Sequence, residues 1–129
     1  MRWRLNNTIL IFLGAGVGGV LRYWVSNAIY LIFGRQFPAG TLVVNTTGCF
    51  LMGLLFVLIL ERMNGTGQQL RPLLLIGLLG GYTTFSSFSI ETLNLFESGA
   101  WITAFVNILA SLVLCIALTW FGMICGRQL

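Results

Sequence analysis

The chain has 129 residues, of which 57% are apolar and only 8% are charged, with a formal net charge of +4. Its mean hydropathy of +0.93 is far above that of a soluble domain, which predicts a membrane protein with lipid as its solvent. The sequence contains no His, Asp or Lys, so most proton-transfer and metal-ligand chemistry lacks its usual residues. Composition therefore argues against an enzyme and against a nucleic-acid-binding protein.

Four apolar segments are long enough to cross a bilayer as helices, which takes about 20 residues each. They are predicted to span approximately residues 5–33, 38–60, 70–96 and 101–125. Only the second link, from Glu61 to Gln69, is of any length, and it contains an Asn-Gly turn signal. The sequence thus predicts one all-α transmembrane domain over residues 1–129.

The first segment contains the glycine-rich run 14–19, which matches the GxGxxG pattern of dinucleotide-binding proteins. That pattern requires a preceding strand and a soluble βαβ unit, and neither is predicted here. The same run places Gly14 and Gly18 on one helix face, where small residues let helix backbones approach closely in lipid. Gly77 and Gly81 of the third segment share this spacing, so both segments are predicted to pack closely.

The arginines are distributed unevenly between the two sides of the membrane. An even number of spans places both termini and the second loop on one side, which collects Arg2, Arg4, Arg62, Arg71 and Arg127. The other side has Arg35 alone, so the positive-inside rule predicts cytoplasmic termini. Arg22 lies within the first span and is either a functional residue or one whose side chain extends to the interface.

The third segment contains a run, from Gly80 to Glu91, that is poorly suited to a continuous helix. Two glycines are followed by threonines and serines, and we expect one half-helix to end near Gly80 and another to begin near Thr84. Broken membrane helices offer carbonyl oxygens to cations and a positive N-terminus to anions. The alternative is a kinked, continuous helix without an ion site.

Polar and aromatic residues elsewhere in the spans have two interpretations. Phe85 and Phe88 lie three apart on one helix face, where their positive ring edges would face an anion or simply pack. Asn45 is a lone amide in the second span, whereas Thr103, Asn107 and Ser111 recur every four residues in the fourth. These side chains form either a polar track or hydrogen bonds between helices.

The three cysteines are interpreted as small, buried apolar residues. Cys49, Cys115 and Cys125 have no metal-ligand spacing, and an odd number cannot form an all-intrachain disulfide set.

Three stretches of the chain resemble the Fluc or CrcB family of fluoride channels. They are residues 19–23, ending Arg22-Tyr23, residues 40–45, ending in Asn45, and the highly specific run 80–91. The resemblance covers nearly the whole chain and implies an antiparallel, dual-topology dimer with two pores. Such a channel would export cytoplasmic fluoride passively across the plasma membrane of a prokaryote, in contact with lipid.

The resemblance also implies a role for individual residues. Arg22 would lie in a vestibule and Glu91 near one pore end, while the carbonyls of Gly80 and Thr83 from both subunits would hold a structural Na⁺ at the dimer interface. The fluoride pore would be lined by Phe85, Phe88, Asn45, Ser86, Ser87, Asn107 and Ser111.

Two other classes of protein fit the composition. A small proton-coupled cation or multidrug exporter also has four spans, but it needs a membrane carboxylate, typically in the first span, where this chain has Arg22 and no acid. A noncatalytic membrane subunit would use the polar residues only between helices. Because the arginines are one-sided, a channel subunit could pair with an oppositely oriented homologue instead of with itself, although the homodimer is the first expectation.

Overall fold

The fold is four long apolar helices in a computed structural model, which describes residues 2–63, 65 and 67–129, with Trp3 described only in its backbone. All four are long and apolar enough to cross a membrane. In the third, an irregular step separates two helices, here named α3 and α4. The elements are α1 (Arg2–Phe33), α2 (Ala39–Phe56, continued by the π-helix Val57–Arg62), α3 (Gly67–Leu70, the π-helix Arg71–Leu79 and Gly80–Tyr82), α4 (Phe85–Glu97) and α5 (Trp101–Gln128).

The predicted spans match these helices, with ends that differ by a few residues. The candidate spans are Arg4–Phe33, Ala39–Arg62, Gly67–Glu97 and Trp101–Gln128. Two of the connections turn on a glycine with left-handed backbone, Gly34 at φ 75° and Gly99 at φ 79°. A side chain is strained in that region, so glycine is the residue that allows such short links.

Large apolar side chains cover the outside of the molecule. Leu31 is 88% exposed, Ile102 is 81% exposed and Phe12 is 77% exposed, while the buried apolar cluster is small and centred on Ile59, Leu75 and Leu79. A soluble protein does not expose apolar surface on this scale. Since lipid solvates such side chains, the exposed surface supports a multi-pass membrane protein.

Helices α1 and α3 pack with their backbones in direct contact. A Cβ atom added at Gly14 would overlap the carbonyl oxygen of Leu73, and one added at Gly18 would overlap that of Leu78. From the other side, a Cβ at Gly81 would come within 2.5 Å of the Ala15 carbonyl oxygen. The prediction that these small residues serve helix packing is therefore confirmed.

Replacing Gly18 by Ala is expected to destabilise the protein by about 1–3 kcal/mol, because a methyl group would have to displace the backbone of α3. Gly16 is a matched control, since a Cβ atom there meets nothing within 4 Å. Thermal unfolding in detergent should separate the two variants. Equal melting temperatures would show that the α1–α3 contact tolerates a methyl group.

Helices α2 and α5 run parallel, and several of their contacts join residues that are 66 positions apart in the chain. Glu61 pairs with Arg127 at 3.3 Å, and a Cβ at Gly53 would overlap the carbonyl oxygen of Thr119. The guanidinium of Arg62 also donates to the carbonyl oxygen of Arg127. This register determines which polar residues of the two helices meet.

Candidate functional site

The third span is broken at Thr83 and Thr84, both of which have extended backbone. Their dihedrals are φ −82°, ψ 155° and φ −150°, ψ 120°. The break predicted from the sequence is confirmed, but the first half-helix continues to Tyr82 instead of ending near Gly80. Gly80 keeps helical dihedrals of φ −63° and ψ −36°, because a glycine permits a break without imposing one.

The side chain of Asn45 holds the broken segment in place. The Thr84 backbone N–H donates to Asn45 Oδ1 at 2.8 Å, and Asn45 Nδ2 donates to the Thr84 carbonyl oxygen at 2.8 Å. The amide therefore satisfies the two main-chain groups of Thr84 much as a neighbouring strand would. In lipid, unsatisfied backbone groups cost several kcal/mol each, so this clamp is central to the shape of the span.

Hydroxyl groups gather at the start of α4. Thr84 Oγ1 accepts a hydrogen bond from the Ser87 backbone N–H at 3.1 Å, which caps the helix. The same oxygen lies 3.2 Å from Ser86 Oγ and 3.1 Å from Ser87 Oγ. The positive end of the α4 dipole thus carries three hydroxyl groups that can rotate to donate.

A cavity of about 240 Å³ opens beside the break. Its walls come from α2, from the extended segment, from α4 and from α5. The lining residues are Asn45, Cys49, Thr83, Thr84, Phe85, Phe88, Ser111, Leu112, Cys115 and Ile116. The cavity therefore combines amide, hydroxyl, thiol and aromatic groups, and none of these described lining residues is charged.

Phe85 and Phe88 form a pair on the wall of this cavity. Their ring centroids lie 5.3 Å apart at an interplanar angle of 50°, which confirms the prediction that they share one face. Phe85 is 74% exposed, so packing within the chain accounts for little of its surface. A tilted pair of this kind presents ring edges, where the aromatic quadrupole is positive.

Glu91 lies on α4, one turn beyond Phe88, and binds hydroxyls from two other helices. Its Oε1 accepts from Thr41 Oγ1 at 2.8 Å and from Tyr30 Oη at 3.1 Å. Its Oε2 is buried without a hydrogen-bond partner. The Arg35 guanidinium stacks 4.7 Å from the centroid of the Tyr30 ring, so a network of contacts extends from the α1–α2 connection through Tyr30 to Glu91.

The polar series of α5 serves two purposes. Asn107 is 1% exposed and donates from Nδ2 to Thr92 Oγ1 at 2.9 Å, a hydrogen bond between helices. Ser111, one turn further, lines the cavity. Asn107 therefore joins α5 to α4 by a hydrogen bond, and Ser111 belongs to the cavity wall.

A comparison with known proteins decides the family. The sequence profile described as "CrcB-like protein, Camphor Resistance (CrcB)" matches residues 9–123. The chain belongs to the CrcB family. The match runs through α1 and the break into α5, so it includes every element of the cavity described above.

Curated relatives of this CrcB chain are named "Fluoride-specific ion channel FluC". One from Coxiella burnetii (strain CbuK_Q154) is 63% identical over 95% of this chain and 99% of its own length. One from Magnetococcus marinus is 50% identical over 91% of this chain and 94% of its own. One from Geobacter sulfurreducens is 45% identical over 97% of this chain and the whole of its own length.

The structure brings together only part of the residue set predicted for this CrcB chain. Asn45, Thr83, Phe85, Phe88 and Ser111 line one cavity, with Ser86 and Ser87 beside it. The other four predicted residues do not line this cavity. Arg22 is half-buried on α1, and Gly80 is in the last turn of α3. Asn107 is in the α4–α5 contact, and Glu91 bonds to Tyr30 and Thr41.

Sequence reasoning missed four residues that complete the site. Thr84 was expected only as the start of a half-helix. A threonine directly before a helix is a preferred N-cap residue, and this signal could have identified Thr84 as the cap of α4. Tyr30 and Thr41 lie far from Glu91 in sequence, and no local pattern joins the three, although Thr41 falls within the stretch 40–45 that carries the family resemblance. Cys115 continues the four-residue spacing of Asn107 and Ser111, a periodicity that would have placed it on the cavity wall.

Proposed function

We propose that this chain is a subunit of a fluoride-specific ion channel that lets fluoride leave the cytoplasm passively. The observation that carries the proposal is the uncharged donor-lined cavity beside the clamped helix break. The names of the CrcB relatives support the identity of the ion. Proposed pore residues are Phe85, Phe88, Asn45, Ser86, Ser87, Asn107 and Ser111, with Arg22 at a vestibule and Glu91 near a pore end.

The chemistry of the cavity suits a small, strongly hydrated anion. A pore must replace the waters of fluoride with close donors, yet bind it weakly enough to release it. Hydroxyls, an amide and ring edges supply such donors, and a buried ammonium or guanidinium in the same wall would trap the ion. A negative cytoplasm drives the anion outward by roughly 2.3 kcal/mol per charge per 100 mV, so no fuel is required.

Fluoride efflux from liposomes that contain only this chain tests the proposal. We expect passive fluoride efflux without chloride efflux. The rival exporter predicts proton-coupled cation flux, and a noncatalytic subunit predicts no flux of either kind. Chloride efflux at the fluoride rate would refute selectivity even if fluoride moved.

The residues at the break fit a structural Na⁺, with Gly80 and Thr83 as its ligands. The helical partner of the Gly80 carbonyl would be the Thr84 N–H, which donates to Asn45 instead. That of the Thr83 carbonyl would be the Ser87 N–H, which donates to Thr84 Oγ1. Two carbonyl oxygens thus lose their usual donors, and carbonyl oxygens are good ligands for a hard cation. Na⁺ bound there would balance the partial negative charge of these two carbonyl oxygens.

An experimental structure of the assembled protein in sodium buffer should show an ion at this position. We expect a density on the dimer axis, within coordination distance of the Gly80 and Thr83 carbonyls of both subunits, because one chain supplies too few oxygens for a complete shell. An axis lined by side chains, or carbonyls turned away from it, would contradict the sodium site.

We further propose an antiparallel homodimer with two pores. The exposed face of Phe85 and the incomplete cation site both suggest a second subunit. The arginine asymmetry favours a single orientation of the chain, whereas the antiparallel homodimer requires both orientations. Labelling distinguishes the two: for the homodimer, cysteines introduced at the termini should be labelled from both sides of the membrane in intact cells. Labelling from one side, together with no efflux from the chain alone, would instead indicate an oppositely oriented homologue as partner.

A further inference from the structure

Two cysteines that are 66 positions apart line the same cavity, one from α2 and one from α5. Cys49 follows Asn45 by one turn on α2, and Cys115 follows Ser111 by one turn on α5. Asn45 and Ser111, like Cys49 and Cys115, are 66 positions apart. This is also the separation of Glu61 from Arg127 and of Gly53 from Thr119, which are in contact across the two helices. Both thiols line the same cavity, and neither is in a disulfide.

The local packing keeps this pair close. One turn further along, Gly53 lets the α2 backbone touch the backbone of α5 at Thr119. Both cysteines are half-buried and line the cavity, so the expectation that they are simply buried apolar residues is wrong for these two. Cys125 is not among the residues that line this cavity.

We propose that Cys49 and Cys115 form a binding site for a thiophilic, two-coordinate metal cation, of which Hg²⁺ is the probe. Soft metal ions prefer thiolate ligands, and a two-coordinate cation needs only two. Each thiol loses a proton when its sulfur binds the metal, so one Hg²⁺ replaces two protons and no oxidant is involved. The bound ion would lie in the cavity beside Asn45, Ser111 and the phenylalanine pair.

A cation bridging α2 and α5 would close the cavity to fluoride. It would occupy the space that the anion needs and would fix two walls to one another. This consequence for transport rests on the proposed fluoride conduction, whereas the binding of the metal does not. Metal binding and flux are therefore measured separately.

The binding experiment uses the purified, full-length protein in detergent and counts the thiols that remain reactive to a maleimide after one equivalent of Hg²⁺. Bridging is expected to remove two reactive thiols per bound ion in the unmodified protein and in Cys125→Ser. It should remove one in Cys49→Ser and in Cys115→Ser. A loss of one thiol per ion in the unmodified protein would overturn the paired site.

The flux experiment adds Hg²⁺ to liposomes that contain the same four proteins. Efflux of the unmodified protein and of Cys125→Ser should fall to the leak rate of protein-free liposomes and recover with dithiothreitol. In each of the two cavity variants, efflux after Hg²⁺ should equal the rate that the same variant shows before it, and the elution volume and melting temperature in detergent show whether the variant has folded. Equal block in all four proteins would overturn the proposal, and thiol loss in pairs without any block would refute only the proposed conduction through this cavity.

Discussion

Replacing Phe85 and Phe88 together by Ile should abolish fluoride efflux while leaving the folded protein intact. Isoleucine retains much of the apolar volume but removes the ring quadrupole, whose positive edge is the part that can face an anion. The stability cost should be small, about 1 kcal/mol, because Phe85 is 74% exposed within its own chain. The measurement is efflux from liposomes beside the elution volume and melting temperature of each variant in detergent.

Phe96→Ile is the matched control for this pair. Phe96 lies on the same helix and packs edge-on against Trp101 and Phe105, with ring centroids 5.4 Å away in each case. Its replacement should lower the melting temperature more than the pore variants do, yet leave efflux nearly unchanged. Normal efflux from the double variant would show that neither phenylalanine is needed in the pore, and would refute their assignment to it.

Replacing Asn45 by Ala should eliminate efflux and also destabilise the protein. The change leaves the N–H and the carbonyl of Thr84 without the partners they have at 2.8 Å. Each unsatisfied buried group costs about 1–3 kcal/mol, so the melting temperature should fall clearly. In Asn45→Asp the carboxylate can still accept from the Thr84 N–H but repels the Thr84 carbonyl, and we expect an intermediate loss of stability.

Asn27→Ala provides the comparison, since Asn27 is an amide near the end of α1 whose one hydrogen bond to Arg35 is long, at 3.4 Å. It should leave both the melting temperature and efflux close to those of the unmodified protein. If Asn45→Ala were as stable as Asn27→Ala, the break in the third span would have to be held by something other than this side chain.

The number of helices and the presence of a break were predictable because both depend on local sequence. Apolar runs of membrane length identify the spans, and a Gly-Gly pair followed by threonines disfavours a continuous helix. The position of the break was less predictable. It lies at Thr83 and Thr84 and not at Gly80, because Asn45 on another helix selects which residue becomes extended.

The site was predictable where a motif was contiguous and not where distant segments meet. Phe85 and Phe88 were placed on one face from their spacing alone. The Tyr30–Thr41–Glu91 network joins three helices, and its contacts of up to 61 positions in sequence leave no local signal. The Cys49–Cys115 pair likewise depends on the α2–α5 register, which composition does not specify.

The dependence of the third span on Asn45 bears on how the protein is made. Because α2 precedes α3 and α4 in the chain, the amide is synthesised before the segment that it stabilises. A third span that entered the bilayer by itself would expose the Thr84 main chain to hydrocarbon. The second and third spans are therefore expected to leave the insertion machinery together, so that the break in the third span forms while the protein is still being translated.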